Sequence, residues 1–253
     1  MRRVFGTLAV LAVLLVAAPV YATVIGIFAV TGADQNAIVA FDVDGSTLRV
    51  GIVNTGGVGE VDEIAAMISG VSFTFLGGGT LNAASLTGTA AGAVDCTAGN
   101  AVCTPIAVSP STPGEPFNPL PTPSDGNSDR GWTYVDPTGA PALGLYAGNG
   151  SLKPNSIANG NITGNTDGVS NDTHNPYLLG PVIFSMTFTG SITSITSANV
   201  YFGTSGLNFQ GSGCLTCPTP FGLPPSAVPE PASMVLLGTG LLGLAARLRR
   251  RKS

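Results

Sequence analysis

Charge is what this chain has least of. Lys, Arg, Asp and Glu make up 9% of its 253 residues, against about 25% in an ordinary soluble domain. A coiled coil, a helical repeat array and a basic nucleic-acid binder all need many Lys, Arg and Glu, so all three are excluded. Histidine is scarcer still. Any Ser-His or Cys-His mechanism, and any His-rich metal site, would have to use His174, the one histidine. It lies among Asn, Asp and Thr, where an ordinary turn residue is the simpler reading. No G-x-S-x-G elbow and no S-x-x-K pair occurs. Acids are plentiful, but no pair is singled out for glycoside hydrolysis. One Trp and five Tyr leave little aromatic surface for stacking on sugar rings. The chain therefore reads as a protein without catalytic activity.

The few charges are unevenly placed. Arg2 and Arg3 open the chain, and Arg247, Arg249, Arg250, Arg251 and Lys252 close it. Between Thr23 and Val228 only Arg49, Arg130 and Lys153 face thirteen acids, a net charge of −10. Such a body repels phosphate backbones, so nucleic acid is not a partner. Residues 1–22 read as a signal peptide: a basic start, an apolar run from Val4 to Ala18, Pro19, then small residues before a cleavage site between Ala22 and Thr23. Sec export and signal peptidase follow from that reading.

At the other end, Val228-Pro229-Glu230-Pro231 precedes an apolar run from Ala232 to Ala246 and the basic ending RLRRRKS. Fifteen apolar residues make a helix of about 22 Å, short of the ~30 Å hydrocarbon core but tolerable with snorkelling arginines. A transmembrane helix over 232–248 is expected. The basic cluster resists translocation and holds the acidic body outside the cytoplasm.

This tail resembles the PEP-CTERM sorting signal, the tag read by exosortase, through Pro229, Glu230, Pro231, the apolar run, and Arg247, Arg249, Arg250, Arg251 and Lys252. The resemblance implies export in a Gram-negative bacterium that makes exopolysaccharide, an inner-membrane-anchored precursor, exosortase as partner, and removal of the tail during sorting to the surface or beyond. Exopolysaccharide is then a natural neighbour. The bodies of such proteins vary widely, so their activity stays open.

In the body, alternating apolar residues and β-branched enrichment predict strands over 24–30, 38–43, 48–53, 71–76, 80–87, 132–135, 182–189 and 198–203, the last two as a pair. Asp44-Gly45-Ser46 is hairpin chemistry. Glu60–Ile68 reads as the one short helix, with acids in its first turn. Long Pro/Gly/Asn-rich loops fill much of 95–181. The expected architecture is mostly β: a jelly-roll-like β-sandwich over 23–217, a Pro-rich linker over 218–228, and the sorting signal over 229–253.

Export places Cys96, Cys103, Cys214 and Cys217 in an oxidising compartment, so disulfides are expected. Four cysteines allow three connectivities, of which the local pairs Cys96–Cys103, closing a loop, and Cys214–Cys217, a tight ring, are favoured over the two crossed ones. Asp125, Asn127 and Asp129, with Asp136 at the twelfth position, have the oxygen spacing of a calcium loop. Arg130 stands where that loop needs glycine, however, and an Asp/Asn-rich turn is the simpler reading. No other cofactor is suggested. The leading expectation is an exported, exosortase-processed surface or extracellular-matrix structural protein. The alternative is a calcium-assisted carbohydrate-binding module.

Overall fold

Runs such as TVIGIFAVT, NAIVAFDVD and TLRVGIVN put branched or aromatic side chains at alternate positions, and each forms a strand. The computed structural model describes residues 22–32, 35–56, 64–96, 103–108, 131–135, 142–145, 156–159, 162, 175–203, 207–214 and 216–221. In order, the strands are β1 (Thr23–Thr31), β2 (Asn36–Asp44), β3 (Thr47–Asn54), β4 (Ile68–Leu76), β5 (Thr80–Leu81), β6 (Thr87–Asp95) and β7 (Thr104–Ile106). After them come β8 (Trp132–Val135), β9 (Ala142–Leu145), β10 (Ile157–Ala158), β11 (Tyr177–Thr189), β12 (Ser194–Phe202), β13 (Leu207–Gln210) and β14 (Ser212–Gly213). The body is mostly β, as expected.

Two antiparallel runs make up the sheet. One has the order β7-β6-β11-β3-β2-β1, the other β8-β9-β4-β12-β13. They join on both sides. Near one margin β10 pairs parallel with β11 and antiparallel with β4. Near the other, residues 207–213 pair first with β12 and then, past Gly211, with β1. A single sheet thus closes nearly on itself, with the outer edge of β1 covered at Phe28 and Ala29 and that of β12 at Asn199–Phe202.

Side chains from the facing runs fill the interior. Phe41 of β2 meets Phe73 of β4 at a ring separation of 5.0 Å, and Trp132 of β8 meets Phe184 of β11 at 4.9 Å. All four are buried, and each such side chain contributes about 1.5–3 kcal/mol through burial. Asn54 secures the corner where β3 gives way to β4. Its Nδ2 donates to the carbonyls of Ala66 (2.8 Å) and Ile157 (3.0 Å), and its Oδ1 accepts from Gly56 N–H. The buried ends of three segments are thereby satisfied.

Several sequence expectations change. The helix over 60–68 is not formed in its described part: Ile64–Ala66 is a single 3-10 turn, and Ile68 already begins β4. Ala66, Met67 and Ile68 are all buried, so burial across consecutive positions outweighs the helical pattern. Strand 80–87 ends at Leu81, where Asn82 caps a 3-10 turn by accepting from Ala84 N–H. Segments 182–189 and 198–203 do not pair. β11 lies between β3 and β6, whereas β12 crosses to the opposite run to pair with β4 and β13. The Pro/Gly-rich stretch also contributes more than Trp132–Val135, since β7, β9, β10 and the first part of β11 arise from it.

Candidate functional site

The processing features expected from the sequence fall at the two ends of the body. Thr23 is the first residue of β1, directly after Ala22, and it pairs with Val43 of β2. Val43 in turn pairs with Leu48 of β3, so Thr23, Val43 and Leu48 form one rung across three strands. Asp44 and Thr47 close the β2–β3 hairpin beyond that rung with the two-residue turn Gly45-Ser46. Gly45 takes φ 59°, which glycine adopts at little cost.

That hairpin register sets up the most polar contact of the described body. Asp42 lies opposite Arg49. Arg49 Nε donates to Asp42 Oδ1 at 2.7 Å and Nη2 donates to Oδ2 at 2.5 Å, a bidentate pair. The Asp42 side chain is wholly buried, while Arg49 keeps 29% of its surface. The hydrogen bonds to Asp42, with the added fields of Asp42 and Asp44, raise the Arg49 pKa against the opposing effect of burial.

The outer face of this hairpin is covered by the chain's own C-terminal side. Ala40 is opposite Gly51, on the same face as the Asp42–Arg49 pair. A Cβ on Gly51 would stand 2.8 Å from Pro220 and 3.0 Å from the Phe221 ring, so only glycine admits this strap. The Arg49 guanidinium carbon sits 5.2 Å from the Phe221 ring centroid, in cation–π range. Thr219 is buried too. Residues 218–221, Pro-rich and linker-like by composition, are therefore docked on the body. The sequence carried a signal for the ion pair but not for the strap: a two-residue turn at 45–46 places residues 42 and 49 opposite each other.

Both disulfides take the local connectivity, Cys96–Cys103 and Cys214–Cys217, with Cα separations of 4.4 and 5.6 Å. The first pair is buried beside Tyr177, and Cys96 N–H donates to Asn175 Oδ1 at 2.7 Å. Burial raises the Tyr177 phenol above its ordinary range. The second pair ties β14, whose end is fixed by Cys214 N–H donating to Ile27 O, to the start of the strap.

Asp125, Asn127, Asp129, Asp136 and His174 lie outside the described residues, as do Pro229, Glu230, Pro231, the segment 232–248 and the basic residues 247–252. Among the described residues, no group of three or more His, Cys, Asp or Glu is placed to hold a metal ion, and no helix is long and apolar enough to cross a membrane.

No curated protein and no solved structure matches the chain. Residues 227–251 match the PEP-CTERM protein-sorting motif, and the match spans Pro229-Glu230-Pro231, the apolar run and the basic cluster. The chain is thus that of an exported, surface-directed protein bearing a C-terminal PEP-CTERM motif, with exosortase as its sorting partner.

Proposed function

We propose that this is a structural component of the cell surface or extracellular matrix, released from a membrane-anchored precursor and without catalytic activity of its own. The sorting motif carries the reading, because it commits the chain to export and processing rather than to a soluble pool. The body suits such a role. Its facing antiparallel runs, read as a flattened, jelly-roll-like β-sandwich, are closed at both margins and stapled by two disulfides. Disulfides survive in an oxidising exterior. Few charges and many Ser, Thr, Asn and Gly residues favour contact with neutral hydrated polymers such as exopolysaccharide.

Intact mass spectrometry of native protein from surface and extracellular fractions tests this. The expected mass runs from Thr23 to the neighbourhood of Pro229, with or without added glycan, and a deletion strain loses aggregation or matrix retention. A mass retaining residues 232–253 in every fraction, or an unchanged deletion phenotype, overturns it. The spacing Asp125-x-Asn127-x-Asp129 favours a second reading, a calcium-assisted carbohydrate-binding module. Calorimetry with calcium on the mature protein decides that reading: no heat of binding removes it.

A further inference from the structure

Both membrane-linked ends of the precursor leave the body at one place. Thr23 stands on the same rung as Val43 and Leu48, and Arg49, beneath Phe221, is the next residue along β3. Strands are about 4.8 Å apart, so crossing from β1 to β3 covers about 10 Å. The strap has its last described contact here, over Gly51 and Arg49. We propose that this β2–β3 corner, with the Gly45-Ser46 turn at its tip, is the surface the body turns toward the lipid bilayer in the precursor. The proposal rests on reading the C-terminal segment as a membrane-inserting sorting signal.

Chain length carries the argument. Ten residues, 222–231, separate Phe221 from the apolar run that begins at Ala232, and fully extended they reach about 36 Å at most. On the other side, four residues, 19–22, separate the apolar run ending at Ala18 from β1, a reach of about 14 Å. While both ends are attached, two short tethers from one corner hold that corner down. The opposite end of the same strands, at Thr31, Asn36 and Thr55, lies seven rungs from Thr23, about 24 Å further away. The strap sets the tether length. If Phe221 were undocked, residues 218–221 would join the linker and lengthen its reach by about 14 Å. Charge permits the approach. Asp42 and Arg49 neutralise each other, which leaves the hairpin with a net charge of −1, from Asp44.

The test uses the full chain in phosphatidylethanolamine/phosphatidylglycerol vesicles that carry a headgroup-linked acceptor dye. A donor dye is attached through a non-natural side chain at Ser46 or at Thr55, both exposed, leaving the cysteines untouched. The expected result is at least twofold stronger energy transfer from position 46 than from position 55. Inserting twelve Gly/Ser residues both before Thr23 and after Phe221, which frees both tethers, shrinks that difference below twofold. Equal transfer from both positions, or stronger transfer from 55, overturns the proposal while vesicle flotation still upholds the anchor. Failure of the full chain to float with the vesicles overturns the anchor reading, and the proposal with it.

Discussion

Asp42 is a carboxylate without solvent, so its partners decide its energy. Arg49 supplies two charged hydrogen bonds, and Phe221 covers the guanidinium. Removing one partner of a fully buried pair costs about 3–5 kcal/mol, because the other charge is stranded. Arg49 is partly exposed, so water offsets some of that. Arg49→Met is expected to cost about 2–3 kcal/mol in denaturant unfolding. Asp42→Leu in the same chain should recover most of the loss; a double variant no more stable than the single one would show that the pair does not govern this face. Tyr177 gives a pH signature of a different kind. Its phenol pKa is raised in the fold above the ordinary 10.0, so the folded state keeps a proton that the unfolded chain releases. Its contribution is full below pH 10 and is lost as pH climbs from there toward the folded pKa. Native protein should lose up to about 1.4 kcal/mol per pH unit more than Tyr177→Phe above pH 10. Equal alkaline slopes in the two proteins would exclude this assignment.

At the scale of elements, the two disulfides do different work. Cys96–Cys103 closes a longer loop and sits in the buried cluster with Met67, Val94 and Tyr177. Loop entropy alone assigns it about 2.5 kcal/mol, against about 2 for Cys214–Cys217. Lost packing adds to the first, so the double Ala variant at 96 and 103 should lower the melting temperature more than the one at 214 and 217. The reverse order would show that fixing β14 and the strap matters more than the buried cluster. The local pairing was one of three the sequence allowed. Strands rich in branched residues, β1 to β4, were legible because alternation and β propensity agreed there. β6, TGTAAGAVD, was read only at its first residue: Ala and Gly have weak strand propensity, and only its place between β11 and β7 makes it a strand. The later parts of β11 and β12 read correctly as strands but not as partners, since proximity in sequence favours a hairpin and only the facing run shows why β12 leaves. The sorting motif was fully legible, because composition and order define it. The strap was hidden by its prolines, which suggest a linker until the Gly51 gap and the Arg49 cation beneath them are known.

For the whole molecule, the decisive stretch is the one at residues 207–214. Residues 207–214 bind the two runs together at their second margin, Phe209 packs edge-on against Phe202 at 5.8 Å, and Gly211 N–H donates to Ala198 O. Without them, β12 and β1 would each present unpaired backbone to solvent, and a long exposed edge recruits other chains. With them, the strap that follows seals the β2–β3 face. The folding unit should therefore end at Phe221. A chain spanning residues 23–221 is expected to be monomeric and to unfold in one cooperative step with the melting temperature of the processed protein. One ending at Gly203 should aggregate or bind a hydrophobic dye, having lost both the closing strand and the cover over Asp42. Light scattering and thermal unfolding of the two chains distinguish the cases. A stable monomer from the shorter chain would mean that each antiparallel run holds its edge unaided, and that the closure at 207–213 serves the placement of the tail instead of the fold.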